Sequence, residues 1–338
     1  PSQLSASWQA FFEDYRPTDR QVDESGNGQA TSDRSPDDKP VATSKKPAAR
    51  SESEDTSSDD GAEADDGEEQ EPEPTRLRGV QATIVKNMEE SLGVPTATSV
   101  RSVPAKLLEV NRQIINNHLR RSRGGKVSFT HLIAYAMVKA ADAVPGMKRI
   151  YTPVDDKPGV TQHETFNLGI AVDMQKDDGT RTLLVPNIKA ANDKTFAEFH
   201  EAYEELIRLI RTNKLSMEMF ADTTMSITNP GMIGTEHSIP RLMTGQSVIL
   251  GVGRISYPTA FQAADPLTLG RIGVSKEITL TSTYDHRVIQ GAESGEWLKH
   301  IEELLLGQHG FYDEIFRSMR VPYTPAEWKR DTSPVDGE

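Results

Sequence analysis

The chain has no cysteine. Neither a disulfide framework nor a cysteine-based metal site or nucleophile is open to it. It has no apolar run long enough to span a bilayer, and its N-terminus lacks the basic-then-apolar order of a secretory signal. A soluble, cytoplasmic protein without membrane contact is expected. It also lacks a basic excess: the formal net charge is −13, whereas a nucleic-acid partner needs a basic face. That charge is local. Residues 21–74 hold 17 Asp and Glu against 5 Lys and Arg, a balance of −12 that leaves −1 for everything else. The same stretch has no Ile, Leu, Met, Phe, Trp or Tyr. It cannot bury enough apolar surface to offset its ordering entropy, and it reads as a disordered, self-repelling acidic linker. Pro1 stands where an initiator Met would, so the chain is expected to be a piece of a longer one.

Hydrophobic patterning appears on both sides of the linker. Trp8, Phe11, Phe12 and Tyr15 recur at helical spacing, which predicts a short aromatic-striped helix within residues 1–20, stopped by Pro17. A helix this short is marginal alone, so the stripe either packs on its own domain or docks on another protein. From Arg76 onward a folded domain is expected over 75–310. Val80, Ile84, Met88 and Leu92 mark a helix, 96–103 an extended segment, and Pro104 the opening of a helix that buries Leu107, Leu108, Ile114, Ile115 and Leu119. Ser128 is placed to cap the next helix, and Thr195 with Glu198 forms a capping box. Residues 166–173 and 182–185 read as a hairpin turning at 176–179. Strands are expected at 225–228, 247–252 and 277–284, and a last helix carries Trp297, Leu298, Ile301, Leu304 and Leu305. The interspersed elements predict one α/β domain with a mixed sheet covered by helices. Residues 311–338 are too apolar for a free tail and read as a connection to a further domain.

Three stretches carry chemistry. The strand ending at Tyr284 runs into Asp285-His286-Arg287, followed by Gln290, Gly291 and a helix. An imidazole on a rigid strand end, with neighbours able to fix its tautomer, suits a general base. Another strand runs into Thr228-Asn229-Pro230-Gly231, a turn that lets backbone come close to a ligand, with Thr235, His237, Ser238 and Arg241 beyond. Gly251-Val252-Gly253-Arg254 ends a third strand with an Arg. No metal ligand is assigned.

These motifs resemble the 2-oxoacid dehydrogenase acyltransferases, whose pattern is Asp-His-Arg-x-x-Asp-Gly with a second motif of Ser or Thr followed by Asn. The similarity covers about 75–310 in the family's order. It implies a chloramphenicol-acetyltransferase-like fold, and a homotrimer with sites shared between subunits. The continuation Gly291-Ala292-Glu293-Ser294 is more like the succinyltransferases. The aromatic N-terminal segment is similar to that of 2-oxoglutarate decarboxylase components, a combination found in the actinobacterial fused enzymes.

The chemistry implied is succinyl transfer from a dihydrolipoyl group to coenzyme A within a 2-oxoglutarate dehydrogenase of the tricarboxylic acid cycle. On this resemblance His286 is the base, Thr228 the oxyanion donor and Asp285, with Arg287 and Gly291, part of the motif's framework. Asn229, Thr235 and Ser238 fall at substrate-binding positions. The family's Asp is replaced by Gln290. A His of the succinyltransferases is replaced by Gly253, which nominates Arg254, His237 or Arg241 as the cation for a succinyl carboxylate. Asp38-Lys39 has no flanking strands and is not a lipoyl site, so the lipoyl group is expected on a partner, with dihydrolipoyl dehydrogenase as a further one. Thiamine diphosphate and magnesium would belong to a decarboxylase domain beyond residue 338. The rival expectation is a non-catalytic trimeric scaffold for that domain, favoured by Gln290 and Gly253. A drug acetyltransferase is a third reading, against which the linker and the aromatic helix both count.

Overall fold

The computed structural model describes residues 76–122, 124–175, 179, 181–212 and 214–327. The aromatic segment over 1–20, the linker over 21–74, turn residues 176–178 and Trp328 lie outside the described residues.

Six strands form one mixed sheet in the spatial order β1-β10-β9-β8-β4-β7. They are β1 (Thr96–Pro104), β4 (Leu168–Ile170), β7 (Asn187–Ile188), β8 (Met225–Thr228), β9 (Val248–Ser256) and β10 (Glu277–Asp285). The pairs β1–β10, β10–β9 and β4–β7 are antiparallel, and β9–β8 and β8–β4 parallel. Two small antiparallel pairs stand apart: β2 (Arg149–Tyr151) with β3 (Val160–Gln162), and β5 (Val172–Gln175) with β6 (Arg181–Leu184). The helices are α1 (Val80–Ser91), α2 (Lys106–Arg121), α3 (Phe129–Ala143), α4 (Phe196–Arg211), α5 (Pro266–Arg271), α6 (Gly291–Leu305) and α7 (Phe311–Ser318). The expected mixed α/β class is what the chain adopts.

Helix α3 lies at the centre of the helical layer. Its residues from Thr130 to Val138 are all buried, with Ala140 and Ala141, as an all-round apolar helix requires. Ser128 caps it as expected. The Ser128 Oγ accepts from the His131 N–H at 3.2 Å, and the Ser128 N–H donates to His131 Nδ1 at 3.1 Å. Helix α6 packs on α3 and on the sheet through Trp297, Leu298 and Ile301, all buried. Trp297 Nε1 donates to the Met137 carbonyl at 3.2 Å, so the largest core side chain leaves no donor unpaired. Along β10, Ser282 bonds Ser294 of α6 at 2.8 Å, whereas Thr283 bonds Thr98 at 2.9 Å and Thr281 donates to the Ser238 carbonyl at 2.6 Å. The hydroxyl-rich pattern of this strand is thus matched group by group, which a buried central strand needs.

The structure departs from the sequence expectations at four places. Pro104 ends β1 instead of opening α2; Ala105 is the N-cap, and its N–H donates to the Lys276 carbonyl at 2.8 Å. The first arm of the expected hairpin divides. Leu168–Ile170 is buried throughout and enters the main sheet, while Val172–Gln175 alternates and pairs with β6. The stripe of α1 is exposed at Ile84, Met88 and Leu92. Finally, the packed unit does not stop at residue 310. Phe311, Tyr312, Ile315, Phe316, Met319 and Val321 belong to the core. Beyond them, fully buried Asn111 exchanges two hydrogen bonds with the backbone of Ala326, at 2.8 and 3.0 Å.

The Phe316→Ala substitution is therefore expected to lower the unfolding free energy by about 3–5 kcal/mol, the cost of deleting a buried aromatic ring. Urea denaturation measures it. A loss under about 0.5 kcal/mol, as for an ordinary surface position, would make this segment a mere connection.

Candidate active site

Strand β10 delivers Asp285 at its last position, and His286 begins the turn into α6. The Asp285 side chain is 3% exposed. Its two oxygens accept from Arg287 Nε at 2.9 and 3.2 Å and from Arg287 Nη2 at 2.7 Å, and Oδ1 also accepts from the Arg287 N–H at 3.0 Å. This is a fork-on-carboxylate pair over two residues. The bonds from Asp285 raise the Arg287 pKa, and the guanidinium also lies 3.9 Å from the centre of the Tyr151 ring. The Asp285 carbonyl accepts from the N–H groups of Val288 and Ile289, closing the turn. The Asp285 N–H donates to the Ser247 carbonyl at 3.1 Å and that of His286 to Pro95 at 2.9 Å.

Within this frame the His286 imidazole is exposed, with Nδ1 3.1 Å from the Ile289 carbonyl. A carbonyl only accepts, so Nδ1 carries the proton of the neutral ring and Nε2 keeps its lone pair. The Tyr284 ring stands edge-on to it at 5.5 Å. The chemistry available is proton abstraction at Nε2.

Thr228 ends β8, and Asn229 precedes a short 3-10 turn over Pro230–Ile233. Asn229 Nδ2 donates to Thr130 Oγ1 at 2.8 Å, tying this turn to the start of α3. The loop then doubles back over β9. An added Cβ on Gly231 would fall 2.2 Å from the Gly253 carbonyl, and one on Gly253 would fall 1.9 Å from the Glu236 carbonyl. Backbone lies directly on backbone here, and no side chain fits at position 253. Strand β9 continues through Arg254 to Ser256 instead of ending at that glycine. Arg254 pairs with Glu236, with its Nε buried and unbonded among the described residues. The Ser238 Oγ is likewise buried and unbonded among them. Thr235 is half-buried and its carbonyl accepts from the Arg254 N–H; His237 and Arg241 are exposed.

One copy of the chain does not bring the two motifs together. Thr228 is in register with Gly251, and Gly251 with Thr281. His286 lies five positions beyond Thr281, about 16 Å along the strand at ~3.3 Å per residue. Thr228, Asn229, Thr235, Ser238 and Arg254 gather at one end of the sheet; Asp285, His286, Arg287, Gln290 and Gly291 stand at the other.

Gln290 is the N-cap of α6, exposed, with its N–H donating to Glu293 Oε2 at 2.8 Å. Glu293 Oε1 takes Arg149 Nη1 at 2.9 Å. The groups that fix the ring and turn geometry were not singled out from sequence: the Ile289 and Pro95 carbonyls, Thr130, Tyr151 and Glu236. Backbone carbonyls have no signature in a sequence. Glu236 did have one, as an acidic residue beside the three nominated cations.

Residues 69–309 match the family model described as 2-oxoacid dehydrogenases acyltransferase (catalytic domain). The chain belongs to this family of acyltransferase catalytic domains. It is 53% identical over 255 residues to the multifunctional 2-oxoglutarate metabolism enzyme of Mycobacterium sp. (strain JLS), covering 75% of this chain and 20% of that one. It is 52% identical over 255 residues to the enzyme so named from Mycolicibacterium vanbaalenii, with the same coverage. The chain thus spans about a fifth of the length of the curated relatives it matches. Among solved structures, the fold is similar to a probable dihydrolipoamide acetyltransferase from Listeria monocytogenes: TM-score 0.59, 21% identity, 75% of this chain and 99% of that one. It is also similar to a truncated catalytic core of the 2-oxoacid dehydrogenase multienzyme complex from Thermoplasma acidophilum, with TM-score 0.57 and 26% identity, covering 69% of this chain and 98% of that one.

Two stability outcomes follow from the turn. Arg287→Ala strands a buried carboxylate and is expected to cost about 2–3 kcal/mol, given the partial exposure of the arginine. Gln290→Asp places a stronger capping residue at the positive end of α6 and is expected to add about 0.5–1 kcal/mol. Chemical denaturation of both variants reads these changes, and a destabilised Gln290→Asp would show that the turn has adapted to a neutral side chain.

Proposed function

We propose that this chain is the working transferase of a multifunctional 2-oxoglutarate dehydrogenase, moving a succinyl group from a partner's dihydrolipoyl arm to coenzyme A. The observation that carries it is the 3.1 Å contact between His286 Nδ1 and the Ile289 carbonyl, which favours the neutral tautomer with its lone pair on Nε2, at an exposed strand end. A thiol of pKa about 8.5 is only a few per cent thiolate at neutral pH, so a positioned base matters. His286 Nε2 takes the proton from the coenzyme A thiol, and the sulfur attacks the thioester carbonyl carbon. The Thr228 hydroxyl donates to the resulting oxyanion. Collapse breaks the bond to the dihydrolipoyl sulfur, which leaves with the proton returned by the imidazolium.

Thr228 and His286 act together only if two copies share a site. That favours a homotrimer in which each site takes His286 from one subunit and Thr228 with Asn229 from the next. Met232, Ile233 and Ile239, 81%, 71% and 65% exposed beside the second motif, supply an apolar surface for the neighbour to cover. Asp285 and Arg287 hold the turn and do not meet substrate. Arg254 is already paired with Glu236, so a succinyl carboxylate would draw on His237 or Arg241, with Thr235 and Ser238 as hydroxyl donors.

The names of the mycobacterial relatives support the 2-oxoglutarate assignment. On this reading the lipoyl-bearing protein and dihydrolipoyl dehydrogenase are partners, residues 1–20 dock, and thiamine diphosphate with magnesium serves a decarboxylase domain outside this chain. The scaffold is the alternative. One of its two supports is weakened, because Gly253 is required by the loop above it.

Coenzyme A-dependent transfer from succinyl-dihydrolipoamide tests the reading. His286→Ala should lower kcat about 10²–10⁴-fold, and Thr228→Ala about 10²–10³-fold. Chains carrying one change each, co-assembled in equal amounts, should recover roughly a quarter of the unaltered activity, because one shared site in four is then intact. No recovery in folded mixed oligomers would exclude a shared site, and no activity in the unaltered protein would leave the scaffold.

A further inference from the structure

Two clusters of imidazoles and carboxylates lie outside the site described above: His131 with His200 and Glu204, and His300 with Glu303 and His309. Their hydrogen bonds separate them. His131 is buried, and the Ser128 N–H donates to its Nδ1 at 3.1 Å. That bond consumes the lone pair on Nδ1, so the proton of the neutral ring sits on Nε2, the atom facing Glu204 at 3.2 Å. A metal there would need the anionic ring. Burial and the neighbouring His200 also hold His131 neutral, with its pKa pushed down to about 3. This cluster is a helix cap with a buried neutral ring.

The second cluster meets the requirements that the first fails. Glu303 Oε2 lies 3.3 Å from His300 Nδ1 and 3.1 Å from His309 Nε2, and all three ligand atoms stand within 4.8 Å of one another. Ligands at about 2.0–2.1 Å from a tetrahedral zinc ion stand about 3.3–3.4 Å apart, so two edges of such a site are already in place. Neither far ring nitrogen is engaged by a bond that fixes the wrong tautomer, among the described residues. Each ring can keep its proton on the far nitrogen and offer the near lone pair. Among the described residues the competing cation is Lys299, which reaches the other oxygen of Glu303 at 3.6 Å.

The backbone also serves this arrangement. His300 and Glu303 occupy adjacent turns of α6, one face of a helix end. His309 sits in the left-handed region at φ 58° and ψ 22°, between Gly307 and Gly310, themselves at positive φ. For a residue with a side chain this conformation is uncommon. It turns the His309 imidazole back towards α6, where the rings of His300 and His309 lie 4.7 Å apart. The two ring faces are tilted by 30° and the carboxylate oxygen lies against a nitrogen of each.

We propose that His300, Glu303 and His309 form a binding site for a divalent transition-metal ion of the zinc type, with the remaining coordination position open to water. The donor set of two imidazole nitrogens and one carboxylate oxygen suits zinc, cobalt or nickel and is a poor match for magnesium or calcium, which take oxygen. The ion would fasten the last turn of α6 to the turn that enters α7, and hence the C-terminal core segment to the body of the domain. The site lies away from His286 and is independent of the transferase reading.

The test uses Co(II) and Zn(II) on the tag-free 338-residue chain, followed by visible absorption and by calorimetry. One equivalent of Co(II) should bind with the d–d bands of a four- or five-coordinate site and be displaced by Zn(II). His309→Asn, which tolerates the left-handed backbone, and Glu303→Gln should each weaken binding at least about 100-fold, since even an outer partner of a metal ligand is worth about 10–100-fold. His200→Gln should bind as the unaltered chain does. Circular dichroism verifies that each variant is folded. Absence of Co(II) binding by the unaltered chain overturns the proposal, as does undiminished binding in folded His309→Asn and Glu303→Gln.

Discussion

The architecture around His286 depends on one buried carboxylate. Asp285 is the last residue of β10 and has almost no contact with water. A charge there is tolerable only when paired and hydrogen-bonded. Arg287, two residues on, meets both needs through its side chain and its own N–H. Satisfying Asp285 forces the chain to turn at His286. The same turn brings the Ile289 carbonyl to Nδ1 and starts α6 at Gln290. The orientation of the His286 ring and the origin of a core helix thus both follow the turn that this ion pair holds.

A second constraint works at the opposite end of the sheet. Gly231, Gly253 and the Glu236 carbonyl stack with no room for side chains, so the loop after β8 lies flat on β9. That close approach sets Arg254 beside Glu236, with its Nε buried, and brings the Thr235 carbonyl onto the Arg254 N–H at 2.8 Å. It also accounts for glycine at a position where the resemblance places a histidine: any Cβ at 253 would collide with a main-chain carbonyl. The departure from the family pattern at 253 thus has a local physical reason in packing, whereas at 290 the helix N-terminus would favour the family's Asp.

Much of this was legible beforehand because it is local. The Ser128 and Thr195 caps, the strand at 225–228 and the Asp-His-Arg strand end were read from residue type and spacing, and each stands where expected. What was misread depended on distant partners. The apolar stretch over 166–173 looked like one strand, yet its first part is sandwiched between β8 and β7 and its second pairs only with β6. Phe311, Ile315 and Phe316 were recognised as needing cover, but a sequence does not say which surface provides it. Helices α3 and α4 do so here: the Tyr135 ring of α3 stands 6.1 Å from that of Phe311, and the Ala197 N–H of α4 donates to Ser318 Oγ at 2.8 Å.

The sequence by itself determined which groups are candidates for chemistry and most of which segments are helix or strand, since side-chain type and a period of 2 or 3.6 are properties of neighbouring residues. Only the tertiary structure decided where those groups stand. Register across β8, β9 and β10 placed Thr228 and His286 at opposite ends of the sheet, because strand pairing is a relation between segments far apart in the chain. Local turn geometry, in turn, set the carbonyl of Ile289 against His286 Nδ1. It brought His309 onto Glu303 through a left-handed turn, and neither contact has a mark in the order of the residues.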